Sequence, residues 1–185
     1  MAAEEVTGPR IVLISLNCQP FFDEVYGSLL TELESKASLQ RVNEADSAIR
    51  LLSEQPQPSA ALVTDEALTA AENARVWEAV LQCPTAIKPF FAKGGLKWEV
   101  GSYHRTTLVL NRDVVTNDLV TKPPPQYRQK AVFVKNSQVF APTSANTVGE
   151  TAVALASIER GKLGYVGDVN AEKGSDAVIL ALCGL

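Results

Sequence analysis

Ile11-Val12-Leu13-Ile14-Ser15-Leu16 is a near-continuous apolar run close to the start of a 185-residue chain. A strand with one wet face alternates apolar and polar residues. A continuous run instead predicts burial on both faces, as in a parallel sheet. Asn17-Cys18-Gln19 then turns the chain. Pro20 suits the first position of a helix, and Asp23 and Glu24 suit its positive end. Phe22, Val25, Leu29 and Leu33 fall on one face of that helix.

The same rhythm repeats downstream. Leu39 to Val42 is a short strand, and Asn43 is placed to cap a helix carrying Ala45, Ala48, Ile49 and Leu52. Pro56 and Pro58 stop it, and Ala60 to Thr64 is a second buried run. Thr69 and Glu72 match a capping box ahead of a helix that buries Val76, Trp77, Val80 and Leu81. A β-α-β-α-β-α order predicts an α/β fold: a three-layer, mostly parallel, flavodoxin-like sheet with helices on both faces. After Leu81 the rhythm breaks. Gln82-Cys83-Pro84-Thr85-Ala86 offers no strand-length apolar run, so the sheet is expected to be narrow there or to show a gap. The apolar surface left beside it is one a second copy would cover, giving a homodimer. Ile87, Phe90 and Phe91 suggest a short helix ended by Gly94-Gly95.

From Leu96 the period changes to two. Leu96, Trp98 and Val100 share a face, and Thr106 to Leu110 and Ala131 to Lys135 read as strands. Asn111 to Tyr127, with Pro123-Pro124-Pro125, is expected to be a mobile surface loop. Gln138 to Ala141 is placed to pair with Ala131 to Lys135 across Asn136-Ser137, and Thr143 to Gly149 reads as loop. Val153 and Leu155, a turn at Arg160-Gly161, and Leu163, Tyr165 and Val166 predict an antiparallel hairpin in the C-terminal half. Ser175-Asp176 opens a closing helix that is apolar nearly all round, as an inserted helix is. All of this reads as one domain over residues 1–185, with residues 1–9 flexible.

Composition excludes several classes. Hydrophobic residues make up 46% of the chain, which excludes a disordered protein. No apolar run approaches the ~20 residues of a membrane span. The net charge of -4 argues against nucleic acid or an anionic membrane as the main partner. Cys18, Cys83 and Cys183 are an odd set without pairing spacing, which suits a reducing, cytoplasmic setting. A single histidine and no Cys-x-x-Cys leave no zinc site, and no motif calls for a cofactor.

Three stretches are candidates for a site. Asn17-Cys18-Gln19 lies at the carboxyl end of the first strand, where open α/β sheets bind ligands. A thiol at a helix N-terminus is also a candidate for reactivity, although the favoured reading of Cys18 is a small apolar residue packed under the helix. Tyr103-His104-Arg105 offers the chain's one histidine as a general base and Arg105 as a charge contact; the alternative is a half-exposed surface strand. Asp168 and Asn170 lie in a polar loop between strand and helix, where Asp168 either orients the base or caps the turn. Asp168-x-Asn170-x-Glu172 starts like a calcium loop, but Lys173 and Ile179 stand where Gly and Glu are needed. Gly161-x-x-Gly164-x-x-Gly167 falls in a hairpin and is no phosphate fingerprint.

The early β-α repeats, the block Lys88-Pro89-Phe90-Phe91 through Thr106-Thr107, and the tail Glu150-Thr151-Ala152-Val153-Ala154, Gly161 to Asp168 and Ser175 to Leu185 together resemble a known family. It is the class I glutamine amidotransferase-like superfamily, in its ThuA-like branch with uncharacterised fungal-type members. The resemblance implies the fold more than an activity. One departure stands out: the Gly-rich strand and sharp turn that present the amidotransferase cysteine are missing after Leu81. Cys83 precedes Pro84 and lacks a Gly-x-Cys-x-Gly elbow, so no nucleophile is carried over to it.

The expectation is a small-molecule-binding protein, either a hydrolase or isomerase using His104 and Asp168 or a non-catalytic ligand-binding or dimerisation module. Asn17, Cys18, Gln19, Arg105 and Asn170 are the expected ligand contacts, with free backbone N–H groups favouring an anionic group.

Overall fold

The apolar run at the start forms β1, Arg10–Ile14, and the second run forms β3, Ala60–Val63. Side chains from Ile11 to Ile14 and from Ala60 to Val63 are buried, so neither strand keeps a wet face. This computed structural model describes residues 8–82, 85–87, 95–109, 123–135, 149–158 and 161–185. The chain is mixed α/β and forms two compact units, Met1–Ile87 and Lys88–Leu185.

In the first unit β1 lies between β2, Ser38–Val42, and β3, parallel to both. The intervening helices are α1, Phe22–Lys36, and α2, Ala45–Ser53. Leu29, Leu30 and Leu33 bury the face of α1, while Val25, expected on that face, is exposed. Asn43 does not cap α2; Glu44 holds that position without a side-chain cap bond. The Thr69 capping box does not form either. Asp65 caps a 3-10 turn at Glu66–Thr69 by accepting from Ala67 N, a second turn follows at Ala71–Asn73, and α3 runs Ala74–Gln82. Pro9, expected to be flexible, accepts from Ser38 N at 3.0 Å.

Thr85 and Ala86 correct the expectation of a gap. They belong to β4, Thr85–Ile87, which pairs in parallel with β3 through Ala61–Ala86 and Leu62–Ile87. Three residues suffice because the neighbouring buried strand supplies the ladder, so the sheet of this unit runs β2-β1-β3-β4. Cys83, the Phe90-Phe91 helix, the Asn136-Ser137 turn, the Gln138–Ala141 strand and most of the Asn111 and Thr143 loops lie outside the described residues.

The second unit is built on β5, Glu99–Val109, antiparallel to β6, Gln126–Lys135. Tyr127, expected in a loop, is buried within β6. The far edge of β6 pairs with β7, Glu150–Thr151, and with the Gly167–Val169 segment, through Val132 N to Gly167 O at 2.9 Å and Val169 N to Lys130 O at 3.1 Å. The expected hairpin is β8, Val153–Ile158, with β9, Gly161–Val166. The closing helix α4, Lys173–Leu182, packs on β6 and β9. Val178 joins Leu108, Tyr127, Ala131, Phe133, Ala152 and Val153 in one core, and Ser175 Oγ donates to the buried Gln129 Oε1 at 2.9 Å.

Candidate functional site

Because β1 is followed by β2 on one side and β3 on the other, the loops leaving its carboxyl end part company, and that is where open α/β sheets hold ligands. Hydrogen bonds tie the strand ends together. Ser15 N donates to Val42 O at 2.9 Å, Thr64 N to Ile14 O at 3.1 Å, and the Ser15 and Thr64 hydroxyls share a bond of 2.7 Å. Asn17 N donates to Asp65 Oδ2 at 3.1 Å, and Gln19 O accepts from Phe22 N at 3.0 Å as α1 begins. Beside this junction lies a cleft of about 250 Å³ lined by Ser15, Cys18, Arg41, Val42 and Asn43.

Of the three predicted loop residues, Cys18 lines the cleft, while Asn17 and Gln19 act through their backbones. Cys18 is exposed, not packed beneath the helix, and its thiol points to Gln19 O at 3.7 Å. Arg41 and Asn43 escaped the sequence reading. The signal available was their place at the carboxyl end of a predicted strand adjoining β1. Arg41 grips Asp23 with both terminal nitrogens, at 3.0 and 2.5 Å. That grip holds the Asp23 carboxyl below its ordinary value and raises the Arg41 guanidinium.

In the second unit, strand alternation sends His104 and Arg105 to opposite faces of β5. Arg105 joins two predicted partners through a residue not predicted, Glu172. Its Nη1 lies 3.1 Å from Glu172 Oε1, which also accepts from Lys130 N at 3.1 Å. With the Asn170 amide turned so that its oxygen faces Arg105, that oxygen accepts from Nη2 at 2.6 Å. Asp168 does the capping job: its carboxylate accepts from Asn170 N at 2.9 Å and Glu172 N at 2.8 Å. The spacing Asp168-x-Asn170-x-Glu172, tested against a calcium loop, thus encodes a turn closed on its first carboxylate.

Glu172 Oε2 is buried and has no hydrogen-bond donor. Burial first, and then the facing Asp168 carboxyl, push the Glu172 carboxyl above its ordinary value; Lys130 N and Arg105 pull the other way. A raised carboxyl favours folding below its unfolded pKa, and the gain is lost as pH rises through the folded value. Glu172→Gln keeps an oxygen for Lys130 and Arg105 and supplies an N–H to Asp168. It is therefore expected to stabilise the protein by about 1 kcal/mol at pH 8, where the loss of a half-exposed ion pair costs less than an unsatisfied buried oxygen. The advantage should shrink towards pH 4. Urea melts at both values check it, and a variant less stable than the parent at pH 8 would refute it.

His104 meets none of the other predicted residues. Its Nδ1 lies 3.1 Å from Ser102 Oγ, and its ring stacks on Phe133 with centroids 4.4 Å apart and planes 9° apart. Ser102 reaches Glu150 Oε2 twice, from its backbone N at 2.9 Å and its hydroxyl at 2.5 Å. A β-bulge makes this double contact possible: the register slips between Val100 and Tyr103, so Gly101 and Ser102 together face Phe133. A Cβ on Gly101 would lie 3.0 Å from the Glu150 carboxyl and from Phe133 O. Hydrogen bonds from Ser102, more than the nearby Lys135, hold the Glu150 carboxyl below its ordinary value. Ser102 was legible as the residue two before His104 on the same strand. Glu150, 48 residues on, had no local signal.

Among the described residues, no group of three His, Cys, Asp or Glu side chains could hold a metal ion, and no helix is long and apolar enough to cross a membrane. No family model and no curated relative matches the sequence. The fold, however, is similar to that of two solved structures. One is a putative ThuA-like protein from Parabacteroides merdae, with TM-score 0.59 and 10% identity over 96% of this chain and 89% of that one. The other is a putative ThuA-like protein from Bacteroides uniformis, with TM-score 0.60 and 10% identity over 98% and 93%. The likeness is one of fold. At that identity it carries no site residue across.

Proposed function

We propose that this chain is a small-molecule-binding protein on a three-layer, flavodoxin-like form of the class I glutamine amidotransferase-like fold, with its ligand at the carboxyl end of the parallel strands of the first unit. The cleft beside Ser15, Cys18, Arg41 and Asn43 carries this reading. Its volume falls just below the ~300–1,000 Å³ of drug-sized sites, so the ligand is small. The earlier expectation of an anionic ligand gives way to a neutral polar one, because Asp23 already occupies the fork of Arg41. What Arg41 and Asn43 still offer suits hydroxyl or amide groups. The exposed free thiol of Cys18 fits a reducing, cytoplasmic setting.

A panel of small polyols and amides, set against inorganic phosphate, tests this by thermal shift. At ten times its dissociation constant a ligand adds about 1.4 kcal/mol. For a chain of this length that raises Tm by roughly 3–6 °C. Arg41→Ala and Asn43→Ala should lose the shift while melting close to the parent. If phosphate alone shifts the parent, or if Arg41→Ala responds undiminished, the reading fails.

A second reading, a hydrolase or isomerase with His104 as proton carrier, is favoured by the hydrogen bond between His104 and Ser102 beside a β-bulge. Bulges recur next to active sites because they re-aim side chains. Without a Gly-x-Cys-x-Gly elbow in the sequence, this chemistry is acid–base rather than cysteine-based.

A further inference from the structure

A serine hydroxyl has one proton to give, and the number of partners around Ser102 decides where that proton goes. An ionised carboxylate only accepts. Glu150 Oε2 stands 2.5 Å from Ser102 Oγ and 2.9 Å from Ser102 N, so both Ser102 protons point at it. The hydroxyl oxygen then has only lone pairs left for His104 Nδ1 at 3.1 Å. Nδ1 must supply the hydrogen of that bond, and in a neutral ring Nε2 then carries the lone pair. Phe133, stacked 4.4 Å away and fully buried, fixes the plane of the ring.

We propose that Ser102 and Glu150 are positioning residues that hold His104 as the Nδ1–H tautomer, so that Nε2 is the proton acceptor of the second unit. The claim deepens the reading of His104 as a proton carrier and rests on it, although the tautomer can be measured without it. A substrate X–H gives its proton to Nε2 and keeps the bonding pair. The resulting imidazolium retains its Nδ1–H on Ser102, with the Glu150 charge beyond it, and Nε2 later returns the proton. Ser102 is not the nucleophile: its proton lies on Glu150, whose carboxyl Ser102 and Lys135 hold below its ordinary value, and His104 Nδ1 gives Oγ a hydrogen and takes none.

The chain has one histidine, so its imidazole gives a single pattern in a two-dimensional proton–nitrogen multiple-bond NMR spectrum. With the full chain at alkaline pH, the parent should show Nδ1 protonated and Nε2 bare. In free histidine the preference is the reverse. Ser102→Ala removes the acceptor, and Glu150→Ala frees the hydroxyl proton to turn towards Nδ1. Each should move the tautomer ratio towards Nε2–H by roughly five- to tenfold, the weight of one hydrogen bond. Glu150→Gln keeps an acceptor oxygen and should preserve the parent pattern. A parent ring protonated at Nε2, or a Ser102→Ala ring unchanged from the parent, overturns the proposal; should Glu150→Ala not fold, Ser102→Ala decides alone. Diethyl pyrocarbonate probes the other claim, since it acylates a free basic imidazole nitrogen. An Nδ1–H ring that takes up none would leave the positioning intact and defeat the proton-carrier reading.

Discussion

Gly167→Ala is expected to destabilise the protein by more than about 3 kcal/mol, at the upper end of what overpacking costs. A chain of this length should then melt at least about 6 °C lower. Gly167 follows β9 at the junction of two ladders: its N donates to Ala152 O at 2.8 Å, and its O accepts from Val132 N at 2.9 Å. A Cβ there would overlap the Val132 carbonyl oxygen and sit 2.8 Å from Tyr165 Oη. That carbonyl also accepts from Tyr165 Oη at 2.8 Å, so two partners are displaced at once. The obstacle is backbone, which cannot swing aside as the end of a flexible side chain would. Gly27→Ala in α1 is the control. Nothing lies within 4 Å of its added Cβ, and alanine gains up to about 1 kcal/mol over glycine in a helix. Urea and thermal melts decide the matter, and a Gly167→Ala protein within 1 kcal/mol of the parent would show that the junction yields.

Elements that bury their own side chains were legible in the sequence. Ile11–Ile14 and Ala60–Val63 are apolar without a break, and every one of these side chains is buried in β1 and β3. Leu163 and Tyr165 alternate with residues of the other face and pair with Ala156 and Ala154 in the expected hairpin. Thr85–Ile87 was illegible because its ladder comes from β3 and not from its own composition. Local motifs failed where a stronger local bond competed: Asp65 closed its turn ahead of Thr69, and the chain bent through two 3-10 turns before α3 began.

The site was legible by residue type and not by partner. His104 and Arg105 are neighbours in the chain, which suggested joint action, but the pleat separates them. Arg105 finds Glu172 and Asn170 on one side, and His104 finds Ser102 on the other. Glu150 and Glu172 carry no periodicity that announces a role. Their places are set by a bulge and by a capped turn, and both are products of tertiary pairing along β6.

Phe133→Ala should cost about 3–5 kcal/mol, the usual range for truncating a fully buried aromatic ring. The corresponding fall in Tm is roughly 6–20 °C. Phe133 is fully buried among Leu108, Tyr127, Ala131, Ala152, Val153 and Val178, so strands β5, β6 and β8 and helix α4 all lose a neighbour together. It also faces the bulge at Gly101–Ser102 and forms the floor under the His104 ring, which links the stability of the unit to the geometry of its base. Phe133→Leu separates the two roles. Leucine keeps most of the volume and should cost less than about 1.5 kcal/mol. It has no flat ring for the imidazole to lie on, so the His104 proton signals should broaden or shift while the melt stays near that of the parent. If Phe133→Ala melts within about 2 °C of the parent, the core around Phe133 does not hold this unit together. If Phe133→Leu leaves the imidazole signals unmoved, the hydrogen bond to Ser102 suffices to fix the ring, and the aromatic floor contributes packing alone.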